Sequence, residues 1–182
     1  YVAERSGGKL TKISATGVKT TLATVSAADG VVIKDGTTAY VSRFNATGTT
    51  IVSVNLFTGA TANIASLTGV CQGMDLDVNG NLLVTNEGLG KIQKINLTTN
   101  TVTDLATGLN RPNDVMYESA TSLLITEYNL GTIIRYNTIT NTKTNVASGM
   151  ANPTDMFREA SGNLLVAEGG GGGALSRINL TT

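Results

Sequence analysis

Residues 70–110 read VCQGMDLDVNGNLLVTNEGLGKIQKINLTTNTVTDLATGLN, and this stretch carries four strand signals in succession. Gly73 to Val78 is a short extended run ending at Asn79-Gly80, a dipeptide suited to a two-residue hairpin because both positions tolerate positive φ. Leu82 to Thr85 is nearly continuous apolar sequence, as a strand covered on both faces requires. Gly88 to Gly90 turns the chain into Lys91 to Asn96, where Ile92 and Ile95 supply the apolar positions. Asn96 to Asn100 is a polar turn, and Thr101 to Ala106 alternates as an outer strand does.

The same order recurs along the whole chain. Segments beginning at Tyr1 (YVAERSGGKLTKIS), Tyr40 (YVSRFNATGTTIVSVN), Leu83 (LVTNEGLGKIQKIN), Leu124 (LITEYNLGTIIRYN) and Leu165 (LVAEGGGGGALSRIN) superpose, their starts 39, 43, 41 and 41 residues apart. A period near 41 residues with four short strands per unit predicts a β-propeller blade. The expected architecture is one all-β array over residues 1–182, four full repeats plus a partial one. Almost no helix is expected, since no segment has a 3.6-residue apolar period. The chain starts at the second strand of one unit and stops after the third strand of another. Units left open in this way imply either a polypeptide that continues into a larger propeller or completion by another subunit.

Thirteen basic and thirteen acidic residues cancel, which removes the electrostatic footprint of a nucleic-acid partner. Thr (29) and Asn (17) make a quarter of the chain and suit strands and tight turns respectively. A polar but weakly charged surface points to an extracellular or cell-surface protein. Cys71 is the only cysteine, so no intrachain disulfide forms, and its apolar setting in GVCQGM predicts a small buried thiol. No run of 18 apolar residues is present to form a membrane-spanning helix.

The second-strand segments LVTNE (83–87), LITEY (124–128) and YVAER (1–5) resemble NHL and YVTN propeller repeats, and KIQKINLTTNTV (91–102) continues the YVTN-like pattern. The inner-strand motif NRPNDV (110–115) and its weaker partner NPTDM (152–156) resemble the gluconolactonase/regucalcin-like branch. The YVTN resemblance implies cell-surface and surface-layer roles; the NHL resemblance implies mainly protein or RNA binding. The gluconolactonase resemblance implies a Ca²⁺-dependent lactonase with oxygen ligands on inner strands, and it assigns Asn113 of Pro112-Asn113-Asp114 to the ligand column. Aligned by motif, the other repeats place Gly30, Met74 and Thr154 in that column, which are poor ligands.

The chain contains no histidine. Ser-His-Asp and Cys-His machinery and His-containing zinc sites are therefore excluded, and a streptogramin-lyase-like activity is disfavoured. A neighbouring column reads Asp75, Asp114 and Asp155, broken by Val31. Such a column would bind a cation or a basic peptide in the channel, or bond the backbone at each strand's start; the second reading is favoured. Glu4, Glu127 and Glu168 share a position at the end of the second strand, with Arg43 and Asn86 in the other repeats, as expected of a solvated rim. Gly169 to Gly173 reads as a flexible connection, because no Lys-Ser/Thr pair or helix follows it. Asp77 to Asn81 is too short for a calcium loop and reads as a hairpin turn. Asn45, Asn96 and Asn179 open N-glycosylation acceptor patterns, the last two at the same hairpin of different repeats.

The sequence is thus read as a non-catalytic extracellular structural or interaction propeller without a cofactor, self-assembling through its incomplete terminal blades. The alternatives are a Ca²⁺-dependent gluconolactonase-like hydrolase with Asn113 as ligand, and a carbohydrate-binding or small-ligand-binding propeller using the rim carboxylates.

Overall fold

The computed structural model describes residues 1–180, and the described residues form eighteen strands and no helix. The first sheet holds β1 (Val2–Glu4), β2 (Lys9–Ile13) and β3 (Lys19–Thr24). The second holds β4 (Ala28–Ile33), β5 (Thr38–Asn45), β6 (Gly48–Asn55) and β7 (Thr61–Leu67). In the third are β8 (Met74–Leu76), β9 (Leu82–Asn86), β10 (Lys91–Asn96) and β11 (Thr101–Ala106). The fourth comprises β12 (Pro112–Ser119), β13 (Ser122–Glu127), β14 (Thr132–Asn137) and β15 (Thr142–Ala147). The fifth has β16 (Pro153–Arg158), β17 (Leu164–Glu168) and β18 (Ala174–Ile178). Each sheet is an antiparallel meander in sequence order, and together they are the blades of a propeller. The expected four full repeats plus a partial one take the form of three four-stranded sheets flanked by two three-stranded ones.

Hairpin chemistry sets these meanders. Asp77 Oδ1 accepts the N–H groups of Asn79 and Asn81 at 2.9 and 2.8 Å, and Gly80 takes a φ of 75° in the turn that joins β8 to β9. The outer hairpins repeat one device: Asn55, Asn96 and Asn137 each accept two following N–H groups through Oδ1, all at 2.9–3.1 Å. The period-2 alternation of each middle strand then splits its side chains between two neighbours. Leu82 and Val84 of β9 pack toward the second sheet, while Leu83 packs toward the fourth.

Four apolar clusters follow from this, one for each consecutive pair of sheets. Leu10 meets Val41, Val52 and Val54; Ile51 meets Leu82, Val84 and Ile95; Ile92 meets Ile125 and Tyr136; Ile133 meets Met156 and Val166. A fully buried aliphatic side chain contributes about 1.5–3 kcal/mol, so these inter-sheet cores are the main stabilising element. Among the described residues no such cluster joins the fifth sheet to the first. Cys71 lies in the cluster between the second and third sheets, and burial pushes its thiol up to about 11, as an inert core cysteine requires.

Candidate functional site

The inner strands meet in a concavity of about 360 Å³, lined by Tyr1, by Val2 and Ala3 of β1, and from the other sheets by β4, β12, β16, Met74 of β8 and the preceding Gln72 and Gly73. Pairing register decides which side chains share a level there. Val31, Met74, Val115 and Met156 pair with Val41, Val84, Ile125 and Val166, the same position of successive middle strands. One residue earlier stand Gly30, Gly73, Asp114 and Asp155; two earlier stand Asp29, Gln72, Asn113 and Thr154.

This corrects the alignment read from the motifs. Gln72, not Met74, matches Asn113, and Asp29, not Gly30, does so in the second sheet. Asp75 does not share the column of Asp114 and Asp155, where the third sheet has Gly73. Matching the motifs slid the second sheet by one residue and the third by two, whereas register keeps the repeat spacing, Met74 with Val115 as Val84 with Ile125. The second, fourth and fifth sheets carry a β-bulge near this level, with one extra residue between Ala28 and Val31, between Pro112 and Val115, and between Pro153 and Asp155. Each bulge aims a polar side chain into the concavity. The column that seemed poor in ligands therefore carries a polar side-chain oxygen at every level.

Within it, Asn113 Nδ2 donates to Gln72 Oε1 at 2.7 Å. Asp29 Oδ2 is buried without a hydrogen-bond partner, its nearest counter-charge being Arg5 Nη1 at 3.8 Å. One carboxylate and three neutral oxygen-bearing side chains suit a hard cation in kind, yet no three acidic groups converge among the described residues.

The aspartates act between sheets. Asp75 accepts its neighbour Leu76 N–H at 2.8 Å and, through Oδ2, Tyr117 N–H of the fourth sheet at 2.7 Å. Asp114 Oδ2 accepts Met156 N–H of the fifth sheet at 2.9 Å, and Asp155 accepts the same N–H at 2.9 Å. Backbone bonding was the expected use, but its partner is mainly the next sheet. Burial, and then the Asp155 carboxylate beside it, push Asp114 well above the usual carboxylate range. Burial also raises Asp75, partly offset by its two N–H donors.

A hydroxyl column escaped notice in the sequence. Ser42, Thr85 and Thr126 accept the N–H of Gly30, Gly73 and Asp114 at 2.8–3.0 Å, beside the bulge in the second and fourth sheets. Ser42 and Thr85 also donate to the carbonyls of Gln72 and Asn113 in the next sheet, at 3.5 and 3.1 Å. Adjacent inner strands come so near that a Cβ at Gly30 would strike the Gln72 carbonyl, and one at Gly73 would strike Asp114 and the Asn113 carbonyl. The signal was the hydroxyl after each middle-strand Val or Ile, replaced by Ala3 and Ala167 in the terminal sheets.

The rim positions are not uniformly solvated: Glu4, Arg43 and Glu168 are half-buried and the other two are buried. Glu127 is 2% exposed and Asn86 0%. Glu127 Oε1 accepts Asn110 N–H at 2.9 Å and faces Lys143 Nζ at 3.2 Å. Glu168 accepts Ala151 N–H at 2.5 Å and the Ser176 hydroxyl, and Glu4 accepts the Thr11 hydroxyl. These carboxylates brace loops and neighbouring strands. Of the acceptor asparagines, Asn45 Oδ1 accepts Thr47 N–H and Oγ1 at 2.9 and 2.8 Å. Asn96 shapes the β10–β11 turn, while Thr181 of the Asn179 pattern lies outside the described residues.

No family model and no curated sequence matches the chain. Solved structures do. The nidogen/laminin complex aligns with a TM-score of 0.78 at 17% identity over 91% of this chain and 66% of that one. Virginiamycin B lyase from Staphylococcus aureus aligns at 0.67 and 14% over 98% and 65%. A putative gluconolactonase aligns at 0.64 and 17% over 83% and 63%. The chain thus spans slightly less than two thirds of the length of each, and the likeness establishes a β-propeller fold.

Proposed function

We propose that this chain is a non-catalytic extracellular interaction module that works through its terminal sheets and associates with itself. One observation carries the reading: the fifth sheet exposes, on the side away from the fourth, apolar side chains that every inner sheet buries. Leu175 is 69% exposed where Ile133 of the fourth sheet is 0% exposed. Contiguous apolar surface of this kind marks protein interfaces. Nidogen, one of the structural neighbours, is seen in complex with a protein, laminin. The lyase neighbour is inactivated by replacing a histidine, a residue type this chain lacks. Extracellular placement follows from the weakly charged Thr- and Asn-rich composition, and the turns at Asn45 and Asn96 are its proposed glycosylation sites. The test is the mass of the native particle, with the intact chain mass taken on the same sample. A particle at a multiple of its chain mass supports the reading; a monomer at every concentration overturns it.

A second reading is favoured by the polar column and by Asp29 Oδ2, which no hydrogen bond satisfies: a Ca²⁺-dependent, lactonase-like hydrolase with its ion in the concavity. Asp29, Gln72, Asn113 and Thr154 would hold the ion, which would polarise a lactone carbonyl. Saturable Ca²⁺ binding by calorimetry, lost together with lactone hydrolysis in Asn113→Ala, would replace the first reading with this one. Each rim carboxylate is engaged by the protein itself, which weighs against the carbohydrate-binding alternative.

A further inference from the structure

The clefts between successive sheets share one plan, and register compares two of them position by position. Lys94 pairs with Leu83 as Arg135 pairs with Leu124. Tyr117 pairs with Leu123 as Arg158 pairs with Leu164. Lys94 and Tyr117 therefore flank the cleft between the third and fourth sheets as Arg135 and Arg158 flank the one between the fourth and fifth. Asp77, which follows Leu76, stands where the fourth sheet has Glu118 after Tyr117.

In the later cleft a carboxylate lies between the two flanks. Glu118 accepts Arg135 Nε and Nη2 at 2.6 and 2.8 Å and Arg158 Nη2 at 3.4 Å. In the earlier cleft neither flank touches a carboxylate. Asp77 is one methylene shorter than Glu118 and is held in its own turn, Oδ1 by the N–H groups of Asn79 and Asn81 and Oδ2 by Asn81 Nδ2 at 2.8 Å. Among the described residues the Lys94 ammonium has no ion pair or hydrogen bond, and the Tyr117 hydroxyl has no hydrogen bond. Both side chains line a cavity of about 120 Å³, together with Leu83 and Leu123, each 1% exposed, and the half-buried Leu105. Ser119, on the same lining, accepts Thr121 N–H at 3.4 Å and keeps its own proton to donate. The third and fourth sheets have a neighbour on either side, so this cleft does not depend on the terminal sheets.

We propose that the cleft between the third and fourth sheets binds a short-chain organic carboxylate. The ligand's carboxylate takes, between Lys94 and Tyr117, the place that Glu118 takes between Arg135 and Arg158. Its hydrocarbon tail lies on Leu83, Leu105 and Leu123. A half-buried ammonium beside apolar walls selects for a ligand with both features, since the charge needs a counter-ion and the walls need covering. The four-carbon stem of Lys94 lets its ammonium follow a carboxylate across a cleft of this size. Volume limits the tail: at roughly 30 Å³ for a water-sized group, the cavity takes about four such groups, which suits an acid of a few carbons.

The test is an amide NMR titration of the isotope-labelled chain with sodium isovalerate, set against sodium chloride at equal ionic strength. Isovalerate should give saturable shifts in the millimolar range, centred on Leu83, Lys94, Leu105, Tyr117 and Leu123. Isovaleramide has the same shape without the charge and should bind about tenfold more weakly or worse, as should acetate, which lacks the tail. Lys94→Met keeps the stem, removes the ammonium and should cost about tenfold or more, while Lys94→Arg should recover most of that loss. Tyr117→Phe should cost about threefold, the worth of one neutral hydrogen bond. Each variant's thermal unfolding is measured to establish that it folds. Equal binding of isovaleramide, an unchanged affinity in Lys94→Met, or shifts spread over the exposed lysines and arginines would each overturn the proposal. The absence of any saturable shift would overturn it too, and would leave Lys94 to water or to Asp77.

Discussion

The fourth and fifth sheets are built from the same pattern and live in different surroundings. Leu124 and Ile133 are sealed by the fifth sheet, while Leu165 is half-buried and Leu175 lies in water. Asp114 holds an N–H of the fifth sheet, while its counterpart Asp155 holds the N–H of its own neighbour and no N–H of a following sheet among the described residues. Glu118 is gripped by Arg135 at 2.6 and 2.8 Å and reached by Arg158 of the fifth sheet at 3.4 Å; Glu159 has Arg177 at 2.9 Å. The two share pairing register and the placement of these residues, though most other side chains differ, so the contrast points to what a following sheet adds: a dry apolar contact, a buried carboxyl and a second guanidinium on the ion pair.

The largest effect should come from the apolar positions. Leu124→Ala leaves a cavity in a closed cluster and should cost about 3 kcal/mol in denaturant unfolding. Leu165→Ala, at the same level of the fifth sheet, should cost less than about 1 kcal/mol when measured dilute enough to keep the chain monomeric. At concentrations that drive association the two values should converge, because a docked copy would turn Leu165 into a second Leu124. Equal costs at high dilution would mean that the fifth sheet is already covered.

The carboxyl pair sharpens the comparison through pH. Asp114 has its folded pKa raised above the unfolded one, so its contribution is fully present below the ordinary Asp value and is lost as pH rises through the folded value. Asp114→Asn keeps an oxygen for Met156 N–H and removes the buried charge. The variant should therefore gain on wild type as pH is raised from 4 toward neutrality, by roughly 3 °C in melting temperature. Asp155→Asn should act indirectly, by removing the negative charge that helps to raise Asp114. A carboxyl titration followed by NMR should then show Asp114 moving toward the usual range. An unmoved Asp114 would leave burial as the sole cause.

What could be read in advance, and what could not, divides along the same line between local and tertiary. Strand runs, Asn-Gly and Asn-x-x turns and the repeat period are local, and they delivered the blades from β8 to β11 nearly residue by residue. The channel columns are not local. They are set by pairing with the middle strand, which holds Met74 level with Val115, so matching the aspartate motifs put Met74 level with Asn113 where register puts Gln72. Glu127 looked like a rim residue because a charged side chain at a strand end is usually wet. Its burial depends on the Asn110 N–H and on Lys143, 17 and 16 residues away, contacts that no periodicity announces.

The smallest effect belongs to the ion pairs, and it has the opposite pH sign. Arg135 above all holds Glu118 down at about 2, so this carboxylate stabilises the fold above the ordinary Glu value and loses that contribution as pH falls toward 2. Arg177, itself largely exposed, likewise lowers Glu159. Glu118→Gln should cost about 1 kcal/mol at pH 7, a value set by bidentate geometry and reduced by partial exposure. Glu159→Gln should leave the melting temperature of the dilute monomer unchanged. Salt separates the pair further: added NaCl should erode the Glu118 contribution only in part, because the following sheet shields one side of it. If both substitutions prove silent, the second guanidinium, Arg158, contributes nothing beyond a single pair. The difference between the two sheets would then reside wholly in their apolar faces and in Asp114.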